Sequence, residues 1–226
     1  MKIPFCLPII KNRKTDIFKI IQENIHSYPY FEVWLDYIDD INKVFIKKLV
    51  RLLKGRMIFV LRRKNLEKTH MSLKQKTDLI LFLKNSQSLL DLDIITQKEE
   101  LNFIQNRSLK INVIASYHNY KETPDNGKLK EIIDTIKLYK PQILKISTMC
   151  NCRQDALRLL QLLLELKSKN LKCVVLGMGE FGVITRIFGT LWGNEIIFAP
   201  AILTEKSAEG QLTKNQLQTI FREFRR

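Results

Sequence analysis

Eight apolar, β-branched-rich runs recur along the chain, each followed by a stretch with helical periodicity, and this alternation constrains the fold more than any other feature. The runs are Ile3 to Ile9, Tyr30 to Asp36, Arg56 to Arg62, Leu89 to Ile94, Lys110 to Tyr117, Gln142 to Ser147, Leu171 to Met178 and Glu195 to Phe198. Amphipathic patterns fill the gaps, among them Ile41–Lys54, Leu73–Leu83, Lys128–Leu138 and Arg153–Lys167. A last helix is expected from Thr213, a residue type suited to an N-cap, to about Phe224. Strict β-α alternation requires parallel strands with the helices packed outside them. Eight such units in 226 residues predict an α/β fold of the (β/α)8 TIM-barrel type, which takes about 250 residues. A doubly wound open sheet needs fewer strands and leaves the even count unexplained.

Composition bounds the rest. With 45% hydrophobic residues, only 8 glycines and 6 prolines, and no Ser/Gly/Pro tract to act as a linker, residues 1–226 are expected to form a single catalytic domain. The apolar N-terminus is interrupted by Pro4 and Pro8 and has no small-residue cleavage site after it, which does not fit a secretory signal. No apolar run approaches the ~18 residues of a membrane span, so a soluble, cytoplasmic protein without membrane partners is expected. Cys6, Cys150 and Cys173 sit in or beside apolar runs, and Cys150-Asn151-Cys152 is not a C-x-x-C motif. With 3 histidines in the chain there is little to build a metal site from, so neither metal nor cofactor is expected. The net charge of +15 raises the question of nucleic acid. The lysines, however, are spread at helical-surface spacing, without an RNP motif, zinc finger or basic tail, so a solvated surface that also attracts small anions is the preferred reading. Salt-sensitive binding to DNA or RNA would favour the alternative.

In a barrel of this type the chemistry sits at the C-terminal strand ends. The fifth run ends in His118, and the sixth carries Lys145 between Leu144 and Ile146. Apolar surroundings disfavour an ammonium, leaving a neutral amine able to attack a ketone and form an imine. The protonated imine draws electrons and acidifies the neighbouring C–H, and a histidine beside it can take that proton. Singly, a strand lysine is usually an edge residue or snorkels to water, and a lone histidine is usually a satisfied polar group. One barrel unit apart and at matching strand ends, the two become a catalytic pair. Period-two alternation further sends Glu32, Trp34 and Asp36 to one side, toward the interior, and the fourth run adds Asp91 and Asp93. So many ionisable groups at one rim predict a polar substrate pocket.

Gly177-Met178-Gly179-Glu180-Phe181-Gly182 satisfies the dinucleotide pattern G-x-G-x-x-G after a strand and before a helix. It falls at the seventh strand, and Glu195, the acid near the right distance, begins the next strand. Fewer than 50 residues remain. The glycines are therefore read as allowing tight turns and close approach of the helix that presents Arg186.

Five segments together resemble the type I 3-dehydroquinate dehydratases, Schiff-base lyases of the shikimate pathway. They are Glu32-Val33-Trp34-Leu35-Asp36, against E-x-R-x-D; Ile114 to Tyr120 followed by Thr123-Pro124; Leu144-Lys145-Ile146; Met178 to Arg186; and Lys206-Ser207-Ala208-Glu209-Gly210-Gln211, against A-S-A-P-G-Q. The resemblance covers essentially the whole chain. It implies that Lys145 forms the imine with the C3 ketone of 3-dehydroquinate. His118 then removes the C2 proton and serves as the acid when the C1 hydroxyl leaves, and imine hydrolysis releases 3-dehydroshikimate on the route to chorismate and the aromatic amino acids. It implies further that Asp93 orients His118, that Arg186 holds the substrate carboxylate, and that Glu32 and Arg62 bind ring hydroxyls. Ser207 and Gln211 belong to the closing loop after the eighth strand. The resemblance also carries the expectation of a homodimer, and with the sequence ending at Arg226 the shikimate dehydrogenase domain fused in some relatives is not expected. The alternative is another Schiff-base barrel lyase or aldolase acting on a small anionic ketone.

The chain departs from the family pattern at four places. Trp34 stands where the family has arginine. Asp93 replaces glutamate and is one methylene shorter, so its reach to His118 is expected to be weak. Glu209 replaces the proline of the closing loop, which predicts a less restricted loop. After Arg62 the common Gly-Gly is absent. Losing one charge-assisted hydrogen bond costs ~1.5–3 kcal/mol, about 10- to 100-fold in rate if felt in the transition state. An active but weaker enzyme is expected.

Overall fold

The computed structural model describes residues 3–61 and 71–224. Its strands are β1 (Phe5–Ile9), β2 (Tyr30–Trp34), β3 (Met57–Val60), β4 (Leu89–Asp93), β5 (Asn112–Asn119), β6 (Ile143–Met149), β7 (Cys173–Met178) and β8 (Ile197–Phe198). Between and after them run α1 (Lys14–Asn24), α2 (Lys43–Leu53), α3 (Leu73–Leu83), α4 (Lys98–Asn106), α5 (Asn126–Leu138), α6 (Arg153–Ser168), α7 (Gly179–Leu191) and α8 (Lys214–Glu223). All seven ladders are parallel, in the order β7-β6-β5-β4-β3-β2-β1-β8, which is a (β/α)8 barrel as the alternation predicted. The seam between β7 and β8 is closed by other means. The Glu195 N–H donates to the Cys173 carbonyl at 3.0 Å, and the Asn194 side chain accepts from Val175 N at 2.8 Å and donates to Val175 O at 3.0 Å. The amide of Asn194 thus does what a backbone peptide would do in a ladder.

Several helices begin where polar caps stand. Ser72 with Gln75, and Thr213 with Gln216, form reciprocal capping boxes, and Asn42 and Asp125 each accept the third backbone N–H of their helices. Each cap is worth about 1 kcal/mol. The apolar stripes of the helices meet the outer face of the sheet in one continuous core that includes Ile17, Leu49, Ile80, Leu101, Ile133, Leu163 and Phe221.

A second, smaller cluster fills the barrel. Cys6, Ile58, Leu89, Ile114, Ile143, Val174 and Phe198 face one another across it, as the alternation of side chains along each strand demands. The register sets Cys6 beside Phe198, Ile58 beside Leu89, and Ile114 beside Ile143. Two residues toward the C-terminal end, the same faces carry Glu32, Asp91, Ser116 and Lys145, all buried. A plug of apolar side chains therefore floors a polar, charged layer, and the site is built on that floor.

Candidate active site

Three neighbouring strands, β4, β5 and β6, assemble the centre. Lys145 follows Ile143 on β6 by two residues, so its side chain turns inward. There its Nζ lies 2.6 Å from Asp91 Oδ2 and 4.5 Å from the centroid of the Phe198 ring. The lysine is 5% exposed and Asp91 1%. Asp91 Oδ1 accepts from Ser116 Oγ at 2.5 Å. The surroundings of Lys145 differ here from the purely apolar ones its sequence neighbours suggest. Leu144 and Ile146 point to the helices, and the alternating face presents a carboxylate to the amine.

His118 sits two residues beyond Ser116 on β5. Its Nδ1 and its backbone N both meet Asp93 Oδ2, at 3.1 and 3.0 Å. A carboxylate has no proton to give, so the Nδ1–H donates, and in the neutral imidazole the lone pair is then on Nε2. Asp93 Oδ1 is held by Ile95 N, Thr96 N and Thr96 Oγ1, at 3.0, 2.9 and 3.1 Å. The short side chain therefore reaches the imidazole directly, against the expectation of a weak contact. It does so because the turn after β4 folds back over it. Tyr120 stacks on the imidazole with its ring centroid 6.3 Å away.

Both groups open onto a small cavity lined by Glu32, Trp34, His118, Tyr120, Lys145, Ser147, Arg186, Phe198, Ser207 and Gln211, among others. Glu32 and Trp34 enter from β2, with Trp34 Nε1 donating to Glu32 Oε2 at 3.1 Å. The indole fills the place that an arginine would take and makes an edge contact with Tyr37. Asp36 is not delivered to the cavity by alternation. The strand ends at Trp34 and Asp36 lies in a 3-10 turn, Leu35–Tyr37. Arg62 lies outside the described residues.

Arg186 projects from α7. It is 2% exposed, its Nη2 donates to Glu209 O at 3.2 Å, and its Nε is buried without a partner. Among the described residues no carboxylate lies within ion-pair distance of it. Burial pulls the guanidinium down to about 10, partly opposed by the Cys150 thiol. A buried, unpaired cation is costly unless an anion joins it. The glycines explain its placement. A Cβ on Gly177 would stand 2.5 Å from Cys150 Sγ, one on Gly182 would collide with the Gly177 carbonyl carbon, and Gly179 has φ +75°. They bring α7 against β7, as expected, and the described elements after α7 are β8, a 3-10 turn and α8 of the barrel.

The loop after β8 closes the mouth. Gln211 accepts from Ser207 N and donates to Ser207 Oγ, both at 2.9 Å, and Arg186 anchors the Glu209 carbonyl. These bonds tie the loop together around the position where the family's proline is replaced by Glu209. Among the described residues no group of three or more His, Cys, Asp and Glu side chains could hold a metal ion, and no helix is long and apolar enough to cross a membrane.

Of the residues singled out in the sequence, Glu32, Trp34, His118, Lys145, Arg186, Ser207 and Gln211 meet at this cavity, with Asp93 behind His118. Sequence reasoning passed over Ser116, Tyr120 and Phe198, and it noted Asp91 without linking it to Lys145. The signal for Asp91 was its inward parity with Asp93.

A buried amine beside a carboxylate, an oriented imidazole and a waiting guanidinium at the mouth of a (β/α)8 barrel define an enzyme equipped for chemistry next to the carbonyl of a small anion. The comparisons agree. The chain belongs to the type I 3-dehydroquinase family, whose profile it matches over residues 5–225. A 3-dehydroquinate dehydratase of Thermodesulfovibrio yellowstonii is 36% identical over 132 residues, 58% of this chain and 57% of that protein. One of Methanocaldococcus jannaschii is 26% identical over 226 residues, 96% of this chain and 97% of that protein. The crystal structure of the Geobacillus kaustophilus 3-dehydroquinate dehydratase superposes with TM-score 0.84 at 18% identity, covering 100% of this chain and 92% of that one.

Proposed function

We propose that this chain dehydrates 3-dehydroquinate to 3-dehydroshikimate through an imine on Lys145. It is a hydro-lyase of the shikimate route to aromatic amino acids. The observation that carries the reading is the convergence of Lys145, the Asp93-oriented His118 and the unpaired Arg186 on one cavity.

The Lys145 amine attacks the C3 ketone and expels water, giving a cationic imine. Electron withdrawal into that imine acidifies the C2 proton, which His118 Nε2 removes. The imidazolium, steadied by Asp93, then protonates the departing C1 hydroxyl. One group thus serves as base and then as acid, and hydrolysis of the imine frees Lys145. Arg186 pairs with the substrate carboxylate and gives its Nε an acceptor. Glu32 accepts from ring hydroxyls, and Ser207 and Gln211 close over the ligand and exclude water. Arg62 would add a further donor. Trp34 narrows the pocket and leaves it one cationic donor short. No cofactor is needed, because the lysine supplies the electron sink. The chain acts as a single catalytic domain in the cytoplasm, as a homodimer that size-exclusion chromatography would register at twice the chain mass.

Turnover is followed through the ultraviolet absorbance of the conjugated enone carboxylate product. A rising signal that vanishes in Lys145→Ala, together with borohydride trapping of substrate mass on wild type alone, is the expected result. An adduct that persists in Lys145→Ala refutes the lysine assignment.

A further inference from the structure

We propose that Asp91 is the proton store and counter-ion of Lys145, and therefore a catalytic residue for imine formation. The inference rests on the reading of Lys145 as the imine-forming residue. Asp91 stands 1% exposed on β4, with Oδ2 2.6 Å from Lys145 Nζ and Oδ1 2.5 Å from Ser116 Oγ. The Phe198 face lies 4.5 Å from the same nitrogen. The resting lysine is thus an ammonium held between a carboxylate and an aromatic face.

That arrangement creates a requirement. An ammonium has no lone pair, so it must lose a proton before it can attack, and Asp91 is the base in contact with it. His118 is committed elsewhere, its Nδ1 on Asp93. The two acids on β4 divide the work. Asp93 serves the imidazole that moves the carbon-bound proton, and Asp91 serves the nitrogen.

The step balances as follows. Asp91 takes one proton from Nζ, and the neutral amine attacks the ketone carbon. A C–N bond forms while the carbonyl π pair moves to oxygen, and a proton on nitrogen passes to that oxygen to give the carbinolamine. The Asp91 carboxyl then protonates the hydroxyl, the C–O bond breaks, water leaves, and the nitrogen lone pair forms the C=N bond. The net change is ammonium plus ketone to iminium plus water, with Asp91 again a carboxylate. It now faces the buried cationic imine, which without a counter-ion would be costly in this site. Keeping the imine protonated is what lets it accept electrons when the C2 proton departs. Ser116 holds Asp91 in place through both charge states.

The test is rapid-quench borohydride trapping with 3-dehydroquinate, read by intact mass, from pH 6 to 9. Adduct on wild type checks the Lys145 reading; its absence overturns that reading and this inference with it. With wild type trapped, Asp91→Asn is expected to slow adduct formation about 100-fold at pH 7. Its rate is expected to climb roughly tenfold per pH unit, because the lysine proton must then leave to solvent, while wild type stays nearly flat. The other ionisable groups around the amine, Glu32, Cys6, His118 and Arg186, are the same in both proteins, so the difference between profiles belongs to Asp91. Adduct formation by Asp91→Asn at the wild-type rate and with the wild-type profile overturns the proposal. If Asp91→Asn does not fold, Ser116→Ala decides. It keeps the carboxylate but removes its 2.5 Å donor, which raises the carboxyl's pKa, so its trapping rate is expected to fall toward pH 6 where wild type stays nearly flat. A profile as flat as that of wild type overturns the assignment.

Discussion

Asp93→Asn is the sharpest probe of how His118 is set. Asp93 Oδ1 accepts two backbone N–H groups and one hydroxyl, whereas Oδ2 accepts the His118 N–H and faces Nδ1. An asparagine has one oxygen and one NH2 to distribute. Turning the NH2 toward Ile95, Thr96 N and Thr96 Oγ1 would oppose two fixed donors. Turning it toward His118 opposes one, because the imidazole can answer by changing tautomer. The oxygen therefore stays on the Ile95–Thr96 side, Nδ1 becomes an acceptor, and the ring proton moves to Nε2. That removes the lone pair from the atom that faces the cavity. The stranded His118 N–H costs ~1–3 kcal/mol, which at 226 residues lowers the melting temperature by roughly 2–12 °C. Loss of the productive tautomer costs far more in rate, up to ~10⁴ in kcat where an acid-to-amide change has this effect on a catalytic histidine. The assay is steady-state turnover at pH 7 with a thermal melt, alongside 15N chemical shifts of the imidazole. Borohydride trapping on Lys145 is expected to survive, since the amine pairs with a different acid. A variant that turns over within about tenfold of wild type refutes the tautomer argument.

Trp34→Arg is expected to raise kcat/KM by about 10- to 100-fold, by supplying a guanidinium beside Glu32 where the indole N–H now stands; an unchanged or lower value would mean the indole contributes to binding in its own right. Gly182→Ala puts a methyl into the backbone of Gly177 and should cost about 1–3 kcal/mol or more, read as a fall in melting temperature and, because α7 carries Arg186, a rise in KM. Iodoacetamide at pH 8 should label one cysteine in the native protein, Cys152, which is exposed, since burial pushes the Cys150 and Cys173 thiols up to about 11 and raises Cys6 well above the usual thiol range. Thiolate fractions of about one in a thousand at Cys150 and Cys173, and the complete burial of Cys6, leave those three unreactive, and rapid labelling of a second cysteine would contradict their burial.

How much of this was legible beforehand follows from which interactions are periodic. The barrel was, because parallel strands and outer helices impose short-range patterns that a sequence displays directly, and α3 spans the Leu73–Leu83 that its pattern marked. Strand ends were less so. The second run was read through Asp36, but the chain turns into a 3-10 helix after Trp34, and nothing in the alternation of Glu32, Trp34 and Asp36 announces that turn. The short eighth strand, Ile197–Phe198, pairs with β1 and leaves its other edge to Asn194, an arrangement local in space and unmarked in sequence.

The site divides along the same line. Lys145 and His118 stood out because each is a polar residue in a position where the pattern calls for an apolar one. Their partners were harder to assign. Asp91 and Asp93 have the same parity on one strand, and parity alone cannot say which serves which base. The register decides it. Asp93 lies beside Ser116 in the ladder, two residues short of His118, and Ser116 in turn lies beside Lys145. The stagger of parallel strands around a barrel moves each successive strand along the axis, so the deeper acid meets the lysine and the outer acid meets the histidine. The two pairs are thereby separated by one inward step of a strand, with Lys145 and Asp91 on the apolar floor and His118 and Asp93 nearer the mouth. A substrate entering past Arg186 would meet the imidazole level before the amine, and depth in the barrel, rather than position in the chain, orders the groups that act on it.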